Sequence, residues 1–417
     1  MIRITQDVNE LFKVKDGRLS DNGKISLTVS RIIDDVKRRG DEALREYTFK
    51  FDGINLETFE ISPTVEGVSD EYRAMLERSA ANIRMFHSKQ LREGFMFSPV
   101  KGVILGERII PLERVGIYVP GGTASYPSTV LMNVIPAKTA GCNEIFIATP
   151  PPVKPEILAA AKISGADRIF TVGGAQAIAA LAYGTGSIPK VDKITGPGNA
   201  YVAEAKRQVY GKVGIDMIAG PSEILIIADE SSNAEYIASD LLAQAEHDKD
   251  AMPILVTVSW KLAETVRYEL ERQIGRLKRS EIARVSIDKN GIILIVNTLN
   301  EAVKVSNEIA PEHLELSVEK AFEVMTGIKN AGSIFIGSNT PEALGDYYAG
   351  INHTLPTMGT AKFSSPLSVD DFVKKSQYVY YSREELEEVS EDIEMFANSE
   401  GLTAHAESIA VRRRIAN

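Results

Sequence analysis

Val115-Gly116-Ile117-Tyr118-Val119-Pro120-Gly121-Gly122-Thr123 is a strand-length run of apolar residues stopped by a proline and two glycines. It opens a pattern that decides the fold. Strand-length runs recur at Glu144–Ala148, Arg168–Val172 and Lys193–Thr195, and helical stretches fit between and after them at Ser128–Ala140, Pro155–Ser164, Ala175–Tyr183 and Ala200–Val209. Strands that alternate with helices, each break carrying Gly or Pro, predict a parallel sheet covered by helices.

The alternation then starts again. Strands are expected at Glu223–Ala228, Pro253–Val258, Gly291–Val296, His313–Ser317 and Ser333–Ile336, with helices at Asn233–Glu246, Leu262–Gly275, Leu299–Ile309 and Glu319–Lys329. The chain therefore reads as two tandem α/β units. Before residue 106 the pattern is polar and helical: Thr28–Tyr47 with a break at Gly40-Asp41, then Ser69–Lys89. After Pro356 the periodicity weakens to an acidic helix, Glu384–Phe396, and a tail-like extension. The expected division is 1–105 helical, 106–222 a first α/β domain, 223–355 a second, and 356–417 an extension suited to docking on a partner subunit.

Bulk properties narrow the function. The chain of 417 residues is long enough to bury a core without disulfides, and one cysteine, Cys142, allows neither an intrachain disulfide nor a cysteine-rich zinc site. A net charge of −10 argues against nucleic-acid binding, which needs basic surface. No apolar window spans a membrane and the N-terminus lacks the apolar core of a signal peptide, so a cytoplasmic location is expected.

Three glycine-rich turns end predicted strands: Pro120-Gly121-Gly122, Gly173-Gly174-Ala175-Gln176 and Gly196-Pro197-Gly198-Asn199. Glycine lets backbone N–H groups approach a phosphate, and open α/β sheets bind ligands along that edge. Each turn alone also reads as a tight connection that needs glycine, and none matches the spaced dinucleotide fingerprint.

Four of the five histidines stand beside a carboxylate or amide. Gln244 and His247 share a helical face as a workable metal pair, or His247 simply favours a helix C-terminus. Glu312-His313 precedes a strand, where adjacent side chains point in opposite directions; His313 suits proton transfer or a structural place at the strand start. Asp346 and His353 lie in a Gly/Pro-punctuated segment read as a loop, either binding or solvated. Glu400 and His405 belong to the terminal arm, where solvent exposure is the plainer reading. His87, on an exposed-looking helix among charges, receives no role. Together these features point to a metal and acid–base site.

The motifs Val115–Gly122, Gly196–Asn199, Ala219-Gly220-Pro221-Ser222-Glu223, Gln244–His247, Ala310-Pro311-Glu312-His313-Leu314, Gly345-Asp346 with Asn352-His353, and Glu400-Gly401-Leu402-Thr403 resemble, in order and spacing, the histidinol dehydrogenase family. That resemblance implies two incomplete Rossmann-like domains and a homodimer with shared active sites. It also implies oxidation of L-histidinol to L-histidine through the aldehyde, with two NAD+ reduced. One Zn2+ per subunit is implied on residues matching Gln244, His247, Asp346 and, from the other subunit, His405. Substrate contacts are implied at Ser222, Gln244, His247, His313, Asp346, His353, Glu400 and His405, and NAD contacts at Tyr118, Gln176 and Asn199. Glu312 would activate water and His313 would act as base. Competing readings are another metal-dependent alcohol or aldehyde dehydrogenase, a zinc hydrolase that does not use NAD, and a two-lobed binding protein; a cysteine nucleophile would have to be Cys142, which has no histidine near it in sequence.

Overall fold

The computed structural model describes residues 1–17, 23–121 and 126–414. The chain forms two compact units, one made of Met1–Gln90 with Leu112–Phe372, the other of Leu91–Pro111 with Val373–Asn417.

The larger unit holds two six-stranded sheets. In the first, Arg114–Tyr118 is central. Glu144–Ala148 and then Arg168–Phe170 lie on one side, Lys193–Thr195 and Gly214–Ile215 on the other, all parallel. The second repeats this order. Glu223–Ala228 is central, with Met252–Thr257 and Ile292–Ile295 on one side and His313–Ser317 and Ser333–Ile336 on the other. Each sheet also gains an edge strand from the N-terminal region: Glu60–Ile61, antiparallel to Arg168–Phe170, and Arg3–Thr5, parallel to Ile292–Ile295. The two tandem units thus share one topology, doubly wound with a reversal beside the central strand.

Burial follows from the helices on both faces. Every residue of Glu223–Ala228 and Met252–Thr257 is buried, which is why these runs read as continuous rather than alternating. The helix Gly174–Tyr183 is apolar on nearly all sides because it is packed between the sheet and the N-terminal helix Gly23–Arg39, whose Ile32, Ile33 and Val36 join the same core.

Several local expectations change. The break at Gly40 is real: the residue sits at φ 55° between Gly23–Arg39 and Asp41–Asp52. His87, however, is buried rather than exposed. Its Nδ1 lies 2.7 Å from Gln90 Oε1, and its Nε2 lies 3.4 Å from Asn352 Nδ2. The segment around Asp346 is not a loop but a short helix, Glu342–Leu344, continued by a π-helical turn, Gly345–Ala349; glycines at both ends hid the helical span.

The smaller unit contains strands that periodicity did not reveal. Val373–Tyr381 pairs antiparallel with Val103–Pro111, which pairs with Phe95–Phe97. Val373–Tyr381 and Phe95–Phe97 are mostly exposed, so no apolar alternation marks them. The tail is also ordered: Arg383–Ser399 and Thr403–Arg414 are helices, and Arg413 reaches Glu391 and Glu394 between them.

Candidate active site

The two sheets of the larger unit offer opposite edges to the chemistry. At the C-terminal edge of the first lies a cavity of about 760 Å³, bordered by Tyr118, Gly121, Gly173–Gln176 and Asn199. Two of the three glycine-rich turns lie fully within the described residues; Gly122 and Thr123 of the first lie outside them. Gly196 has φ 106°, and a Cβ there would stand 2.1 Å from the Tyr118 carbonyl oxygen, so only glycine fits this turn. The turn is held from below. Lys206 Nζ donates to the Gly196 carbonyl at 3.0 Å and pairs with Asp216, whose second oxygen accepts from Gly196 N at 2.8 Å.

The three NAD-contact candidates meet here. Asn199 Oδ1 caps the helix Ala200–Val209, accepting from Tyr201 N at 3.0 Å and Val202 N at 3.2 Å. Its acceptor is therefore engaged, and toward a ligand it offers its amide hydrogens. Tyr118 is buried, its hydroxyl accepting from Gly174 N at 3.0 Å; burial pushes its pKa up to about 12, so it stays neutral. Gln176 is 1% exposed and its Oε1 has no protein partner. An orphaned buried amide oxygen at a cavity wall is the polar group a ligand donor would satisfy.

The histidine cluster forms at the N-terminal edge of the second sheet. The helix Ala234–Ala245 runs back from the end of Glu223–Ala228, so its last turn returns Gln244, and then His247, to the level of Glu223. His313 starts the neighbouring strand, in register with Ile224. Ala310, immediately before Pro311, adopts a left-handed conformation (φ 52°), a strained setting for a residue with a Cβ, and it redirects the chain into Glu312-His313. The short helix from Glu342 then descends past His313 to Asp346.

Here His313 is buried. Its Nδ1 lies 3.0 Å from the Glu223 carbonyl oxygen and 3.3 Å from Gln244 Nε2; its Nε2 has no hydrogen-bond partner and stands 3.8 Å from Asp346 Oδ1. Burial lowers its pKa against the opposing pull of Asp346. Glu312 and His313 are not fully turned apart as extended geometry suggested, because the chain bends at the strand start: Glu312 Oε2 is 3.8 Å from His313 Nδ1 and accepts from Glu223 N at 2.9 Å. His353 is held by the Asp346 carbonyl at 3.2 Å and stands 3.4 Å from Thr129 Oγ1, on the helix that leaves the first sheet's C-terminal edge. This contact links the two sheets' facing edges. Ser222 is half-buried immediately before Glu223. Glu400 and His405 are exposed residues of the smaller unit, His405 on Thr403–Arg414 and Glu400 at the C-terminus of Arg383–Ser399.

The structure adds one residue that sequence reading missed. Donor atoms of His247, Glu342 and Asp346 all lie within 4.8 Å of one another. Glu342 is 3% exposed, its Oε1 is 3.8 Å from His313 Nδ1, and its Oε2 has no partner. Burial, reinforced by Asp346, Glu312 and Glu315, pushes its carboxyl well above the usual range. Gln244 Oε1 is likewise buried and unpartnered. Donors placed about 2 Å around one ion span about 4 Å, so this imidazole and oxygen set fits a divalent cation such as zinc. The i, i+4 spacing of Glu342 and Asp346 after Pro341 was the signal available in sequence.

Cys142 lies away from both edges that carry the chemistry. It sits between a helix end and the start of Glu144–Ala148, 5% exposed, with Sγ 3.6 Å from the Phe372 carbonyl oxygen, and burial pushes its thiol up to about 11. That is the setting of an inert thiol.

Two facing α/β sheets, a ligand cavity on one and a cluster of acid–base and metal-donor groups on the other, define an enzyme. The histidinol dehydrogenase family model matches residues 16–413. A histidinol dehydrogenase of Bacillus cereus is 55% identical over 93% of this chain and 92% of its own length, and one of Clostridium acetobutylicum is 50% identical over 99% of both. The crystal structure of histidinol dehydrogenase from Elizabethkingia anophelis superposes with a TM-score of 0.91 at 37% identity, covering 100% of this chain and 98% of that one. An acetylating aldehyde dehydrogenase from Geobacillus thermoglucosidasius, at 14% identity and a TM-score of 0.51 over 90% of this chain and 97% of its own, shares the fold. The chain belongs to the histidinol dehydrogenase family, and it is an oxidoreductase of histidine biosynthesis.

Proposed function

We propose that this enzyme oxidises L-histidinol to L-histidine through L-histidinaldehyde in one site, using zinc and two molecules of NAD+. The observation that carries this reading is the cluster of buried Gln244 and His313 with half-buried Asp346 and exposed His247, with orphaned acceptor atoms at Gln244 Oε1 and His313 Nε2. Gln244, His247 and Asp346 would hold the metal, with His405 supplied by a second subunit, and Glu342 standing by as a further oxygen donor. Zinc there would orient the substrate through its imidazole and amine nitrogens. NAD+ would supply the hydride acceptor from the cavity bordered by Tyr118, Gln176 and Asn199.

The chain's own groups account for the protons. The Glu223 carbonyl can only accept, so Nδ1 of His313 carries its hydrogen and Nε2 presents a lone pair. His313 Nε2 takes the alcohol proton as hydride leaves the carbinol carbon. Glu312 then removes a proton from the water that attacks the aldehyde while His313 returns its proton to the carbonyl oxygen, giving the hydrate and freeing Nε2 again. His313 takes a hydrate proton as the second hydride leaves, and the carboxylate results. His353, Ser222 and the second subunit's copy of Glu400 would position the amino alcohol. The same family reading makes the active protein a cytoplasmic homodimer.

Adding L-histidinol and NAD+ to the purified enzyme should raise NADH absorbance, a chelator should abolish it, and zinc should restore it. Zinc binding without NADH formation would instead identify a hydrolase or a binding protein.

A further inference from the structure

Asp52 occupies a place that stability does not explain. It is the last residue of the helix Asp41–Asp52, ended by Gly53 at φ 71° with its N–H on the Phe49 carbonyl. A carboxylate at a helix C-terminus faces the negative end of the dipole. Burial adds a second cost, raising the carboxyl above its ordinary range. Among the described residues nothing offsets either: Asp52 Oδ2 is buried and has no hydrogen-bond partner there, and no ion pair from them reaches it. Yet Asp52 borders the same cavity as Tyr118, Gln176 and Asn199, beside the half-exposed Phe51 ring.

Two unsatisfied acceptors, Asp52 Oδ2 and Gln176 Oε1, therefore belong to one cavity. A ligand that met them would bring hydroxyl or amide donors. A ribose diol has two O–H donors on adjacent carbons and suits a carboxylate. A ribose bearing a 2′-phosphate would instead put a dianion against that carboxylate. Among the described residues bordering the cavity, Lys154 is the one cation, and no arginine is present to receive such a phosphate.

We propose that Asp52 receives the adenosine ribose diol of the dinucleotide and makes the enzyme selective for NAD+ over NADP+. This rests on the reading that the cavity holds NAD+. Asp52 would be a specificity residue remote from the reacting atoms, and its orphaned oxygen is the mark of that task.

Titration calorimetry on the zinc-loaded enzyme tests it with three probes: NAD+, NADP+, and NAD+ lacking the adenosine 2′-hydroxyl. Asp52→Ala should weaken NAD+ about tenfold or more, the usual loss for a hydrogen bond to a charged group. It should weaken the 2′-deoxy analogue clearly less than NAD+ and bring NADP+ closer to NAD+. Asp52→Asn should melt at or above the wild-type temperature, since it removes a charge of the wrong sign for the helix end. Unchanged NAD+ affinity in Asp52→Ala, or equal losses for NAD+ and its deoxy analogue, would overturn the assignment. Wild-type enzyme that takes up neither dinucleotide would instead remove the cavity's reading as the NAD+ site.

Discussion

His313 Nδ1 and the main-chain carbonyl of Glu223 lie 3.0 Å apart, on adjacent parallel strands of one sheet. The acceptor is backbone and cannot titrate, so it fixes which imidazole nitrogen stays bare. His313→Asn keeps a polar group of similar reach but has no lone pair at the Nε2 position. It should lower kcat by about 10²–10⁴-fold, the usual contribution of a positioned base, while zinc content measured by atomic absorption stays near wild type. Near-normal turnover in that variant would remove His313 from the reaction.

The shared-site reading makes a stronger demand on His247 and His405. Each variant, His247→Asn or His405→Asn, should be inactive alone. A refolded mixture should regain activity, because a mixed dimer holds one site with both histidines intact. If both ligands came from one chain, every site in the mixture would lack one of them and no activity would return.

Glu315, two residues along the strand from His313, is a buried carboxyl that interacts with Asp240. Glu315 Oε1 also accepts from Glu342 N at 2.8 Å, tying down the helix that carries Asp346. Burial raises Asp240 to about 6, and burial together with the Asp240 charge raises Glu315. An acid whose folded pKa is raised contributes stability below its unfolded value and loses it as pH climbs through the folded one. For Asp240 that window runs from 3.8 to about 6. Urea unfolding of the metal-free protein should therefore show lower stability at pH 8 than at pH 5.5. Glu315→Gln, which keeps an acceptor for Glu342 N, should recover about 1–3 kcal/mol at pH 8 and flatten the profile. An unchanged slope would contradict the interaction of these two carboxyls.

Cys142→Ser should turn over at the wild-type rate, measured as NADH formed per second under saturating substrate. Its cost should be in stability alone, about 1 kcal/mol for a hydroxyl placed where a buried thiol sits. A large loss of kcat with an unchanged melting temperature would revive a nucleophilic role for the thiol.

The buried parallel strands were legible because both faces are covered: Glu144–Ala148, Glu223–Ala228 and Met252–Thr257 appear in sequence as bounded apolar runs. Val373–Tyr381 escaped notice because it is exposed and gains its order from pairing with Val103–Pro111, more than two hundred residues away. The site divided in the same way. Histidines and their neighbouring acids stand out as residue types, so His247, His313 and His353 could be nominated. Glu342 carries no such mark, since its place beside His247 depends on a helical turn hidden between Pro341 and Gly350. His87 was misread because the charges around it in sequence lie on the other side of its helix. The glycine-rich turns pointed to the C-terminal edge of the first sheet, but nothing in the sequence marked the edge of the second. The second sheet uses its N-terminal edge, since the returning helix Ala234–Ala245 delivers Gln244 and His247 there.

The central claim is that one site carries out both oxidations, with His313 serving twice. Counting NADH formed from limiting L-histidinol tests it most directly, with zinc-loaded enzyme and excess NAD+. Two NADH per histidinol are expected, with histidine as the product and no aldehyde accumulating. One NADH per histidinol, with free aldehyde left in solution, would contradict it.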